Sequence, residues 1–167
     1  MFTQGIYTTV HVLISLAGIA SGLVVAMGML SSKRLDVATQ VFLSTTVLTS
    51  LTGFGFPITK VTPGLVVGGL SLVILAVAIF ARSGRKLAGP WRAIYVVTAL
   101  LALYFNVFVL VVQLFEKVPA LEALAPTQSE PPFAVTQLVV LAAFVGLIVA
   151  AVLRFHPERQ RAGRATV

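Results

Sequence analysis

Long apolar runs alternate with short polar segments along the whole chain. Five runs approach or exceed the roughly 20 residues that an α-helix needs to cross the hydrocarbon core of a bilayer. They cover residues 6–30, 37–58, 64–81, 91–115 and 133–153, and Arg92, near the start of the fourth run, is the only charged residue inside these bounds. Because lipid offers the backbone no hydrogen-bond partners, each run is predicted to be a helix. The sequence thus predicts an all-α fold, with residues 1–167 forming a single integral membrane bundle of five transmembrane helices.

The second run is the least apolar of the five. Its hydroxyl and amide side chains are those of Thr39, Gln40, Ser44, Thr45, Thr46, Thr49, Ser50 and Thr52. A hydroxyl on a helix can donate to the carbonyl four residues earlier, which makes such side chains tolerable in lipid. A transmembrane helix is the preferred interpretation, and a re-entrant segment is the alternative.

The basic residues give the bundle a predicted orientation. With five spans, one side of the membrane carries ten of them and the other side carries only Lys60 and Lys117. The ten are Lys33, Arg34, Arg82, Arg85, Lys86, Arg92, Arg154, Arg159, Arg161 and Arg164. Cytoplasmic loops are enriched in Lys and Arg, so the N-terminus is predicted outside and the C-terminus in the cytoplasm. A re-entrant second run would divide the basic loops between the two sides and weaken this bias.

The composition is that of a membrane protein, and it excludes some classes of function. Hydrophobic residues make up 58% of the chain and charged residues 10%, against roughly 25% charged in soluble domains. The net charge of +7 lies in short segments that flank the apolar runs, so we expect no nucleic-acid partner. Cysteine is absent, which excludes disulfides and thiolate chemistry.

Small residues at four-residue spacing mark surfaces where helices in lipid can approach closely. Such rows are Gly18, Gly22 and Ala26 in the first run, Gly64 and Gly68 in the third, and Ala142, Gly146 and Ala150 in the fifth. We expect these rows to face partner helices, with self-association of the chain as the alternative role.

Polar residues inside the predicted spans are the place to look for function. The five-span arrangement places a group of them in the outer half of the membrane, with Glu116 just beyond the end of the fourth span. The candidate site residues are His11, Thr49, Ser50, Asn106, Gln113, Glu116 and Gln137. One interpretation is that these groups bond to one another and hold the bundle together. The other is a tentative ligand-binding site, in which a few polar groups stand in mostly apolar walls. The loop over residues 116–132 would cover that site.

No catalytic or metal site is predicted. The chain has no usable HExxH, GxSxG or phosphate-binding motif. His11 and His156 are predicted at opposite ends of the bundle and cannot share a haem, and no other cofactor is expected. The chain is therefore not expected to be an enzyme.

Three stretches carry a family resemblance: FLSTTVLTSLTGFGFP, GPWRAIYVVTALLALYFNVFVLVVQ and LAPTQSEPPF. They resemble small multi-span inner-membrane proteins of bacteria, a family without an established activity. The resemblance implies a bacterial inner-membrane location and brings no site residues with it.

The leading hypothesis is a non-enzymatic membrane protein that binds a small apolar or amphipathic ligand, or a protein partner, through the outer polar residues. A facilitator for a neutral solute and an accessory subunit of a larger, respiratory-type membrane complex are the alternatives. The partners expected on these hypotheses are the lipid bilayer, a small hydrophobic ligand, and a second copy of the chain or a membrane complex.

Overall fold

The chain forms a bundle of antiparallel helices. A computed structural model describes residues 2–56 and 63–157, and these residues contain helices and no strand. The helices are α1 (Phe2–Leu30), α2 (Asp36–Gly53), α3 (Pro63–Ile79), α4 (Trp91–Lys117), α5 (Pro119–Glu122) and α6 (Pro131–Arg154). A π-helical turn over Phe80–Gly84 continues α3, and α5 is a single turn in the loop that precedes α6.

Four of these helices are long and apolar enough to cross a membrane, which indicates a membrane protein. They comprise Gly5–Leu30, Gly64–Gly84, Trp91–Lys117 and Pro131–Arg154. The predicted all-helical class is therefore confirmed. The hydroxyl-rich α2 is 18 residues long and begins at Asp36. The predicted end of this run, residue 58, lies outside the described residues.

Long helices that follow one another in the chain run in opposite directions and pack side by side. In the pair of α1 and α2, His11 bonds to Thr52 at one end, and Gly28 lies against Leu35 at the other. α4 and α6 pair in the same manner, with Phe115 against Phe133 at one end and Arg92 bonded to the carbonyl of Val152 at the other. α3 contacts both α2 and α4.

The core lies where α1, α2 and α4 approach one another. Met29, Phe42 and Leu103 are almost completely buried there. Gly22 allows the close approach, because a methyl group added to it would lie 2.6 Å from Leu103 Cδ1 and 2.9 Å from the ring of Phe42. Gly18 and Ala26 are buried on the same face, so the small-residue row of α1 faces partner helices as predicted.

Within the described residues, most of the small-residue row of α6 does not face another helix. Ala142 and Gly146 are exposed, and a methyl group added to Gly146 would meet nothing within 4 Å. The prediction of a helix-facing row is wrong there within one chain. α6 instead packs on α4 through larger side chains, of which Phe144 against Tyr104 is one pair.

The turn between α3 and α4 also differs from the prediction. Sequence hydropathy places Arg82 in a loop, whereas the π-helical turn keeps it in the helix, where it is 8% exposed. The loop proper begins at Arg85, whose N–H donates to the carbonyl of Phe80. Positive φ angles at Lys86, Leu87 and Gly89 then reverse the chain into α4.

Candidate ligand site in the predicted outer half

His11 joins α1 to the end of α2. Its Nδ1 lies 2.7 Å from Thr52 Oγ1, and its ring meets the ring of Phe56 edge-on at 5.2 Å between centroids. Tyr7, one turn away on α1, donates to the carbonyl oxygen of Thr52 at 2.6 Å. Gly53 leaves room for the imidazole, whose Cε1 would lie 3.9 Å from an added methyl group. Two side chains of α1 therefore hold the C-terminal turn of α2.

Asn106 lies deeper in the bundle than His11. Its amide donates to Thr46 Oγ1 at 3.2 Å, and an added methyl group at Gly18 would be 3.6 Å from the Asn106 amide nitrogen. Gly18 is seven residues below His11, which is roughly 10 Å along the helix axis. This contact joins α1, α2 and α4, and it matches the interpretation in which buried polar groups hold helices together.

Gln113 and Glu116 pair on their own helix. Gln113 Nε2 donates to Glu116 Oε2 at 3.1 Å. Gln113 is seven residues above Asn106 on α4, so it lies close to the depth of His11. Glu116 is exposed at the end of the helix.

Gln137 is the contribution of α6. Its amide nitrogen donates to the carbonyl oxygen of Phe108 on α4 at 3.2 Å. The pairs Phe115–Phe133 and Tyr104–Phe144 place Gln137 beside residue 111 of α4, between Gln113 and Asn106. The predicted site residues thus divide into an outer tier (His11, Gln113 and Glu116) and a deeper tier (Asn106), with Gln137 between them.

Thr49 and Ser50 lie between the two tiers on α2. Ser50 is buried on the α3 side, where its carbonyl oxygen approaches Gly68. Thr49 lies three residues from both Thr46 and Thr52, so it is on the face of α2 that meets α1 and α4.

Two buried polar atoms have no hydrogen-bond partner within the described part of the chain. They are Thr49 Oγ1 and Gln137 Oε1. Most other hydroxyls of α2 form hydrogen bonds with the backbone of their own helix. Those of Ser44, Thr45 and Thr52, for example, donate to the carbonyl oxygen four residues earlier. Leaving a buried polar group without a partner costs about 1–3 kcal/mol. Thr49 and Gln137 are therefore the places where a bound molecule would gain hydrogen bonds that the protein does not make.

The loop before α6 is ordered by Glu130. Its carboxylate accepts hydrogen bonds from the Thr127 hydroxyl at 2.8 Å and from the backbone N–H groups of Thr127 and Ser129. Desolvation acts to raise the pKa of Glu130, but these hydrogen bonds outweigh it and hold the pKa below its ordinary value. Gln128 reaches back to the carbonyl of Val112 on α4, which fastens the loop to the bundle.

Sequence reasoning missed a charged cluster at the opposite end of the bundle. The buried Arg82 donates to the carboxylate of Asp36 and to the hydroxyl of Tyr95, and its guanidinium carbon is 5.5 Å from the Tyr95 ring centroid. Arg34 donates to the same oxygen of Asp36 at 2.9 Å. A signal was present, because Asp36 and Arg82 both border apolar runs at the end of the bundle that is predicted to be cytoplasmic.

The surface also has a shallow depression on α1. It is lined by Gly5, Thr8, Thr9, Val12 and Leu13 and has a volume of about 470 Å³. Most of these residues lie on a different face of α1 from His11, Ser15 and Gly18, and Thr8 lies at the border between the two faces. Among the described residues, no group of three or more His, Cys, Asp or Glu side chains could hold a metal ion.

Comparison with known proteins identifies no relative. No protein-family model, curated protein or solved structure matches this chain.

Proposed function

We propose that this chain is a non-enzymatic, five-span protein of the bacterial inner membrane that binds a small apolar or amphipathic ligand in its outer half. The observation that carries the proposal is the pair of buried polar atoms without partners, Thr49 Oγ1 and Gln137 Oε1. They belong to α2 and α6, which both contact α4, and the predicted site residues of α1 and α4 lie at neighbouring depths. A ligand with an apolar body and a polar group fits such surroundings.

The geometry of α2 supports the count of five spans. From the His11–Thr52 contact to the Gly28–Leu35 contact, α1 and α2 lie side by side. That interval is 17 residues of α1, or roughly 25 Å, which is most of the hydrocarbon thickness. Five passes also collect ten of the twelve basic residues on one side, which supports a cytoplasmic C-terminus.

A facilitator for a neutral solute is less well supported. Such a function requires a continuous polar path to the other side of the membrane. Below Asn106, the interface of α1, α2 and α4 is filled by Met29, Phe42 and Leu103, which are at most 1% exposed. This packing leaves no polar path along that interface.

The test compares Thr49→Val with Thr45→Val. Each full-length protein is purified from bacterial membranes in mild detergent, and the copurifying small molecules are measured by mass spectrometry. Valine has nearly the shape of threonine, so Thr49→Val removes a partnerless hydroxyl while keeping the packing. We expect Thr49→Val to lose a small molecule that the unmodified protein and Thr45→Val retain.

The same variants separate a ligand site from simple packing. If Thr49 serves only packing, Thr49→Val raises the thermal stability of the purified protein and changes nothing that copurifies. An identical set of bound molecules in all three proteins contradicts the proposed function.

A further inference from the structure

We infer that the ligand of the outer tier is a neutral amphiphile whose hydroxyl group donates a hydrogen bond to His11 Nε2. The inference rests on the proposed function and adds the chemical class of the ligand. It begins from the hydrogen-bond balance around Thr52, which places a hydrogen on His11 Nδ1.

The hydroxyl of Thr52 has one hydrogen to donate and three close neighbours, one of which is the carbonyl oxygen of Thr49 at 3.2 Å. Its Oγ1 lies 2.7 Å from the carbonyl oxygen of Leu48 and 2.7 Å from His11 Nδ1. A carbonyl oxygen only accepts, so the contact with Leu48 requires the threonine hydrogen. If the hydroxyl hydrogen pointed elsewhere, lone pairs of Thr52 Oγ1 and of the Leu48 carbonyl oxygen would face each other at 2.7 Å. Thr52 Oγ1 must then accept from His11, and His11 carries its hydrogen on Nδ1.

With a hydrogen on Nδ1, Nε2 is an acceptor as long as the imidazole is neutral, and the partly buried position of His11 in an apolar helix disfavours the charged form. In the described part of the chain, the hydrogen bond of His11 is the one to Thr52. Nε2 therefore has a lone pair available to a bound molecule, and a ligand group that meets it must supply an O–H or N–H.

The surroundings select among the molecules that carry such a group. Phe56 packs edge-on against His11, and Tyr7 packs against Phe56 at 5.0 Å, which provides apolar walls. A charged ammonium head would have to leave water to reach these apolar walls, which costs free energy. A deprotonated carboxylate has no hydrogen to give Nε2. A neutral hydroxyl on an apolar body satisfies both conditions.

The experiment uses a matched pair of probes that differ only in the donor. The full-length protein in lipid nanodiscs is titrated with 4-octylphenol and with its methyl ether, 4-octylanisole. Histidine labelled with ¹⁵N reports the imidazole directly, and His156→Gln assigns the signal because the chain has two histidines. We expect Nε2 of His11 to be unprotonated before addition and to shift on binding of the phenol. The phenol should bind about tenfold more tightly than the ether, the upper effect of one ordinary hydrogen bond.

The control variant is His11→Phe, which keeps an aromatic ring and removes the acceptor. It should bind the two probes equally, at the affinity that the unmodified protein has for the ether. The tautomer of His11 is measured in the protein that keeps this histidine. The inference can therefore be tested even if His11→Phe folds poorly.

Several outcomes overturn the inference. A hydrogen on Nε2 in the unmodified protein contradicts it directly. Equal binding of phenol and ether, or tighter binding of palmitate than of phenol, excludes the neutral hydroxyl class while leaving the proposed ligand site in place. Failure of the proposed function is recognised separately, by the absence of any copurified molecule that depends on Thr49.

Discussion

At the scale of single residues, Asp36 forms ion pairs with two arginines that differ in burial. It is the partner of the buried Arg82 guanidinium and also accepts from the more exposed Arg34. A buried charge that loses its partner is strongly destabilising, whereas an exposed ion pair contributes little. The two arginines on one carboxylate therefore provide an internal comparison.

We expect Asp36→Asn to lower the stability of the bundle by about 1–3 kcal/mol, less than for a fully buried pair because half of the Asp36 side chain is exposed. Arg34→Gln, which removes only the exposed partner, should lower it by about 0–1 kcal/mol. The measurement is the unfolding midpoint of the purified protein in a detergent titration. Equal losses for the two variants would show that burial of Arg82 has no energetic consequence.

Glu130 predicts a pH dependence confined to the loop before α6. Its pKa in the folded protein is lowered, so the stabilisation is fully present above the unfolded pKa and is lost as pH falls through the folded pKa. Amide exchange at Thr127 and Ser129 should therefore remain slow near neutral pH and accelerate, relative to intrinsic rates, below the ordinary glutamate range. Glu130→Gln should exchange faster at neutral pH and show no such pH dependence. A pH profile unchanged by this substitution would exclude the carboxylate as the cause.

The sequence shows which face of a helix a side chain lies on better than it shows what that side chain contacts. Helical spacing puts His11 on the face of α1 that carries Gly18 and Gly22, and in the structure that face meets other helices. The two tiers were not predictable, because the axial offset between helices depends on close contacts such as Gly18 against Thr46. The burial of Arg82 was missed because hydropathy considers each segment alone and cannot register a partner on another helix.

At the scale of helices, α2 shows why hydropathy ranks it below the other four long helices. Its hydroxyls count as polar on any transfer scale, yet those of Thr39, Ser44, Thr45 and Thr52 donate to their own helix backbone. Groups that are satisfied in this way present little unpaired polarity to lipid. The composition of α2 is therefore compatible with a membrane crossing.

Glycine on α1 and glycine on α6 should respond oppositely to the same substitution. Gly22→Ala places a methyl group 2.6 Å from Leu103 Cδ1, and overpacking of this kind costs about 1–3 kcal/mol. Gly146→Ala meets no atom within 4 Å and should be neutral or slightly stabilising, because alanine has the higher helix propensity. Thermal unfolding of the two variants in one detergent provides the comparison. A loss at Gly146 equal to that at Gly22 would show that α6 packs against something other than lipid.

At the scale of the whole molecule, the charge distribution and the helix directions favour the proposed arrangement of five crossings. Long helices that follow one another in the chain are antiparallel, so an odd number of crossings would place the basic loops and the C-terminal segment together. In the alternative arrangement, α2 enters and leaves the membrane on the same side. The two arrangements differ in where the loops after α1 and α3 lie. The loop after α1 and the loop after α3 would then lie on opposite sides of the membrane, whereas five crossings put them on the same side.

This difference can be measured directly, because the chain has no cysteine and each substitution introduces a single thiol. Ser31→Cys reports the loop after α1, Ala88→Cys the loop after α3, and Ala123→Cys the loop before α6; all three positions are exposed. In intact bacterial cells, an impermeant maleimide should label Ala123→Cys alone. Ser31→Cys and Ala88→Cys should react only after the cells are permeabilised. Labelling of Ser31→Cys together with Ala123→Cys in intact cells, with Ala88→Cys protected, would instead mean that α2 does not cross. The outer half assigned to His11 and Thr52 would then lose its basis, because the orientation rests on the ten basic residues sharing one side.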